Sequence, residues 1–118
     1  MTLKEVQQLL NAEILYGENL LDREANTAFA CDLMSDALAF LDDKTLLLTG
    51  LVNSHTIRAA EIVDIVAVVF VRGKKAEEEI IKLAEEHEIV IMSTKNTLYV
   101  SSGILYAEGL EGASIEYN

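Results

Sequence analysis

The chain has 118 residues, 51% of them hydrophobic, a net charge of −11 and a single cysteine. That length and hydrophobicity give one ordered domain, residues 1–118, able to bury a core without disulfide or metal staples. The acidic charge is spread evenly, 9 acids against 4 bases over residues 1–60 and 11 against 5 over 61–118, so nucleic acid and anionic membrane are disfavoured as partners.

Thr2 followed by Glu5 is a capping box that opens a helix with Leu3, Val6, Leu9 and Leu10 on one face. Ile14-Leu15-Tyr16 reads as a short strand, Gly17-Glu18-Asn19 as a turn and residues 20–26 as a connecting loop. Thr27 to Leu33 alternates, with Thr27, Phe29, Cys31 and Leu33 on one face and the small Ala28 and Ala30 on the other. Those small residues would admit a helix or a second chain at close range. Ser35 is a suitable N-cap for a short helix over Asp36–Leu41.

Leu46-Leu47-Leu48-Thr49-Gly50 is a short apolar run closed by glycine, and Ser54 to Val63 has helical spacing. Ile65–Val71 is a β-branched and aromatic run of strand length, Arg72-Gly73-Lys74-Lys75 the turn after it. Ala76 to His87 is helical, with Glu77, Glu78 and Glu79 at the positive end of its dipole and Ile80, Ile81, Leu83 and Ala84 towards the core. Ile89–Met92 is a further strand, Asn96–Gly109 the last helix and Ala113–Tyr117 an edge strand. Continuous apolar strands alternating with helices predict an α/β fold: a single three-layer domain, mostly parallel sheet with helices on both faces.

Cys31 alone supplies neither an internal disulfide nor the ligands of an iron–sulfur cluster or tetrahedral zinc site, so no metal and no cofactor is expected. The lone thiol and an N-terminus without a signal-peptide apolar region fit the cytoplasm. The longest apolar run is far too short to span a membrane. His55 and His87 stand apart from each other and from any nucleophile motif, so no catalytic residue is assigned and no enzyme is expected.

Two candidate sites remain. Gly50, Asn53, Ser54, His55, Thr56 and Arg58 place a glycine turn and a helix start where backbone N–H groups and an arginine could meet an anion. The competing reading is an N-capped packing helix. The last helix is apolar over too much of its circumference, through Leu98, Tyr99, Val100, Ile104, Leu105, Tyr106 and Ala107, to be covered by the sheet alone. Tyr99 and Tyr106 share a face, with Ser102 and Gly103 between them for close approach, which suits a homodimer or a protein partner. A helix sandwiched within the monomer is the alternative.

Taken in order, several segments resemble the DRTGG domain family, related in fold to the N-terminal domain of HPr kinase. They are Phe29-Ala30-Cys31-Asp32-Leu33-Met34-Ser35-Asp36-Ala37-Leu38-Ala39, Leu46-Leu47-Leu48-Thr49-Gly50 and Val90-Ile91-Met92-Ser93-Thr94-Lys95-Asn96-Thr97-Leu98. Where the family carries its naming motif, this chain has Leu51-Val52-Asn53-Ser54-His55, without the motif's Asp, Arg and two glycines. The resemblance implies a non-catalytic regulatory or accessory module, dimeric in some relatives, and in small stand-alone members an association with iron-hydrogenase systems. It also implies the alternative of a small-molecule sensor, taking an adenine nucleotide or phosphate at the Gly50–Arg58 helix start.

Overall fold

The computed structural model describes residues 1–32, 44–62 and 64–113. In chain order these form α1 (Leu3–Leu10), β1 (Glu13–Tyr16), a single 3-10 turn (Glu18–Leu20), β2 (Thr27–Ala30), β3 (Thr45–Thr49) and α2 (Ser54–Ile62). There follow β4 (Ile65–Phe70), α3 (Glu78–Glu86), β5 (Val90–Ser93), α4 (Leu98–Ala107) and β6 (Glu111–Gly112). The six strands make one sheet in the order β1-β5-β4-β3-β2-β6. β1 runs antiparallel to β5 and every other pair is parallel. The expected α/β three-layer domain is what the described residues form.

Why the central strands are apolar without interruption is visible in their two faces. Side chains alternate across a strand, so Leu46, Leu48, Ala67, Val69, Val90 and Met92 join Leu3, Val6 and Leu10 of α1 and Leu105 of α4 in one cluster. Leu47, Val68, Phe70 and Ile91 point the other way, to Ile57 and Ala60 of α2 and Ile80 and Ala84 of α3. With both faces covered, polar alternation has nowhere to go. The β2 side chains divide as expected: Ala28 lies on the α1/α4 side and Phe29 and Cys31 on the other.

Thr2 caps α1, its hydroxyl accepting from Glu5 N and donating to Glu5 Oε1, each at 3.2 Å, so the N-cap half of the expected capping box is formed. Other boundaries differ for local reasons. The last helix starts at Leu98 rather than Asn96, because the Thr97 hydroxyl takes the N-cap position and accepts from Val100 N. α3 starts at Glu78, since Glu77 is extended (φ −70°, ψ 162°). A short edge strand, Glu111–Gly112, pairs with Thr27 and Ala28 of β2, and all of the strand expected at Ala113–Tyr117 but Ala113 lies outside the described residues. Residues 114–118, Leu33, Val63 and the Ser35-capped Asp36–Leu41 helix lie outside the described residues.

Parallel crossovers through α2 and α3 step β3→β4→β5 along one face, and α4 then carries the chain back over the other face to β6 at the far edge. Connections leaving β4 and β5 therefore go to opposite faces, which in open α/β sheets opens a ligand crevice at the carboxyl ends of those strands. Here the loop after β4 closes it: Arg72 N donates to Asn96 O and Gly73 N to Thr94 O, both at 2.8 Å, and the Ser93 hydroxyl donates to Lys74 O.

Ser101, fully buried on α4, has a hydroxyl without a hydrogen-bond partner among the described residues. An unpaired buried polar group is costly, and an apolar replacement of similar shape removes the cost. Ser101→Ala is expected to leave stability unchanged or raise it by about 1 kcal/mol, read from the denaturant midpoint.

Candidate functional site

Two arrangements on the described surface stand out. The first gathers residues that follow three strands. Cys31 N bonds to Leu48 O, setting the ends of β2 and β3 side by side. Asp32 then turns its carboxylate onto β3: Oδ1 accepts from Gly50 N and from the Thr49 hydroxyl, each at 2.9 Å. From the loop after β4, Lys74 Nζ donates to Gly50 O at 2.7 Å. The Arg72 guanidinium lies so close that a Cβ added at Gly50 would fall 2.8 Å from its terminal nitrogen. Arg72 itself holds a left-handed backbone, φ 62°.

The Gly50 amide and then the Thr49 hydroxyl hold the Asp32 carboxyl below its ordinary value of 3.8; partial burial acts the other way, and Arg72 and Lys74 add a smaller attraction. A carboxyl depressed by folding contributes stability that is full above its unfolded pKa and disappears as pH falls through its folded pKa. Asp32→Asn is therefore expected to cost about 1 kcal/mol at neutral pH, a charged hydrogen bond discounted for solvent exposure. The difference from the parent should close as pH drops below about 4, in paired urea titrations across pH.

The second arrangement is a groove of about 370 Å³ between α4 and the β2–β6 edge. Leu48, Ala28 and Ala30 line it from the sheet. Tyr99, Ser102, Gly103 and Tyr106 line it from α4, so the structure brings all four expected interface residues to one surface. Tyr99 is 88% and Tyr106 73% exposed. Among the described residues that line the groove, none is charged.

The Gly50–Arg58 set is gathered less completely. Asn53 Oδ1 accepts from Thr56 N at 3.0 Å, the N-cap of α2, and the buried Thr56 hydroxyl donates to Leu51 O. Asn53 and Ser54 face a shallow hollow shared with Lys75, Glu77 and Glu79, and those two carboxylates oppose an anion there. His55 and Arg58 are exposed on α2, and no hydrogen bond or ion pair ties them to Gly50 among the described residues. Gly50 spends its N–H on Asp32 and its carbonyl on Lys74. His87 caps α3, its Nδ1 3.4 Å from Glu61 of α2.

Asp32, Thr49, Arg72 and Lys74 escape a motif search because they are scattered in sequence. The signal was positional: each closely follows or closes a strand, and the carboxyl ends of neighbouring parallel strands meet in space. Among the described residues no three His, Cys, Asp or Glu side chains are placed to share a metal ion. Nor is any helix there long and apolar enough to cross a membrane.

The family model described as DRTGG domain matches residues 5–106. No curated protein matches. Among solved structures, the fold is similar to the CBS and DRTGG domains of the regulatory region of Clostridium perfringens pyrophosphatase, complexed with its activator diadenosine tetraphosphate. The TM-score is 0.69 at 16% identity over 88% of this chain, which spans 45% of that one.

Proposed function

The chain belongs to the DRTGG domain family, and from that premise we propose that it is a non-catalytic regulatory module that self-associates through the α4 groove. The observation that carries this reading is the pair of exposed tyrosines flanking Gly103 over an uncharged apolar groove. On a chain of net charge −11, the acidic surfaces of two copies repel each other. This patch does not. A symmetric pair would let each copy present the same tyrosines to the other's groove, and tyrosine supplies apolar area with a hydrogen-bonding tip.

Gly103 provides a test that separates interface from fold. A Cβ there meets nothing within 4 Å, and a mid-helix glycine costs about 0.5–1 kcal/mol relative to alanine. Gly103→Leu is expected to preserve or raise monomer stability while weakening self-association about tenfold or more; Tyr106→Glu should weaken it too. Light scattering after size exclusion reads both. Unaltered association in the two variants would remove this surface from the proposal.

The regulated partner in this reading extends to an iron-hydrogenase system, supported by family resemblance and by a chain whose one cysteine cannot hold a cluster itself. The module acts without turnover of its own. Steady nucleotide hydrolysis by the pure protein, lost in His55→Ala, would contradict this.

A second reading is a sensor for an adenine nucleotide or phosphate. Arg72 and Lys74 beside Gly50 favour it, as does the diadenosine tetraphosphate complex of the pyrophosphatase regulatory region. Titration calorimetry with adenine nucleotides tests it, and no heat at millimolar ligand would end it.

A further inference from the structure

We infer that Thr49, Gly50, Arg72 and Lys74 form a cradle for a phosphoryl group, which the Asp32 carboxylate occupies as a built-in competitor. The inference deepens the sensor reading and takes its biological relevance from it, but moves the site from the α2 start to the loop after β4.

The geometry is that of an oxyanion site with an oxyanion already in it. One carboxylate oxygen receives a backbone N–H and a hydroxyl, both at 2.9 Å, from adjacent residues at the end of β3. Two cations from a different loop stand over the same turn. Lys74 uses one of its three N–H donors on Gly50 O. The Arg72 guanidinium, against Gly50, makes no hydrogen bond among the described residues.

Both cations rise from a backbone that is fixed, because Arg72, Gly73 and Lys74 are each bonded to the end of β5 or the turn after it. Neighbouring Lys75 is committed elsewhere, 3.2 Å from Glu13. Three of the chain's nine basic residues thus fall within residues 72–75, in the loop at the carboxyl end of β4.

Charge selects the ligand class. One carboxylate faces two cations, so replacing it with a phosphoryl dianion neutralises both, and a second carboxylate would not. Guanidinium and ammonium are the side chains that recognise phosphate, the former bidentately. A Cβ at Gly50 would fall 2.8 Å from the Arg72 terminal nitrogen, so any side chain there moves the guanidinium off the turn. Asp32, Arg72 and Lys74 are exposed, so whatever carries the phosphoryl group can extend into solvent. Competition from Asp32 makes the parent site weak and responsive to ligand concentration.

Calorimetry at constant ionic strength, with inorganic pyrophosphate as probe, tests the cradle. Asp32→Asn keeps an acceptor for Gly50 N–H and Thr49 but removes the competing charge, and should bind about ten times more tightly than the parent or better. Arg72→Gln with Lys74→Gln should abolish binding in either background. Independently of any aspartate variant, the Gly50 amide resonance of the parent should shift with pyrophosphate and stay still in the Arg72→Gln, Lys74→Gln protein.

No tightening in folded Asp32→Asn, or an unmoved Gly50 amide, overturns the cradle. Adenine nucleotides that bind equally well without Arg72 and Lys74 overturn it too, while leaving the sensor reading standing. Pyrophosphate binding as described, with adenine nucleotides no tighter, keeps the cradle and removes the adenine-nucleotide sensor.

Discussion

Phe70→Ala is expected to cost about 4 kcal/mol, enough to leave much of the protein unfolded, because domains of this size hold about 5–15 kcal/mol in total. Phe70 is among the largest fully buried side chains and ends β4 within the α2/α3 core. Its carbonyl accepts from Thr94 N, which keeps the end of β4 against the turn after β5. A cavity at that position undermines the floor beneath the Arg72–Lys74 loop. Thermal melting should show a large drop, with folded Phe70→Ala also losing protection of the Arg72 and Gly73 amides in hydrogen exchange.

Gly17→Ala should cost about 3 kcal/mol through two additive causes, a left-handed backbone and overpacking. Gly17 has φ 99°, and a Cβ there would lie 2.8 Å from Val90 Cγ2 and 3.2 Å from Val90 Cα. The second of these contacts is with backbone, so no rotamer change relieves it. Gly73 is the control: its φ is 70°, but nothing lies within 4 Å of an added Cβ. Gly73→Ala should therefore cost only the backbone component, about 1 kcal/mol. Equal losses in the two variants would contradict the packing argument.

The layers were legible because runs such as Ile65–Val71 are apolar on both faces, and only a doubly covered strand explains that. The α4 surface was legible for the converse reason: Tyr99, Val100 and Tyr106 exceed what one sheet face can cover, and all three are exposed. Helix starts were misplaced where one side chain decides, as at Thr97, since the cap competes with an equally good periodic pattern two residues earlier. The Asp32–Arg72–Lys74 cluster was not legible as a motif. Forty residues separate its members, and only the parallel pairing of β2, β3 and β4 sets them together. An anion site at Gly50–Arg58 needs a free Gly50 N–H, and Asp32 takes it.

Sedimentation equilibrium of the parent protein across a wide concentration range, with Gly103→Leu run beside it, decides whether the α4 groove pairs two copies. A mass approaching twice the 13.0 kDa chain is expected at high micromolar concentration, with a melting temperature that rises with concentration as binding linkage requires and loss of both in Gly103→Leu. A parent that stays at 13.0 kDa throughout, with a melting temperature independent of concentration, would contradict that pairing.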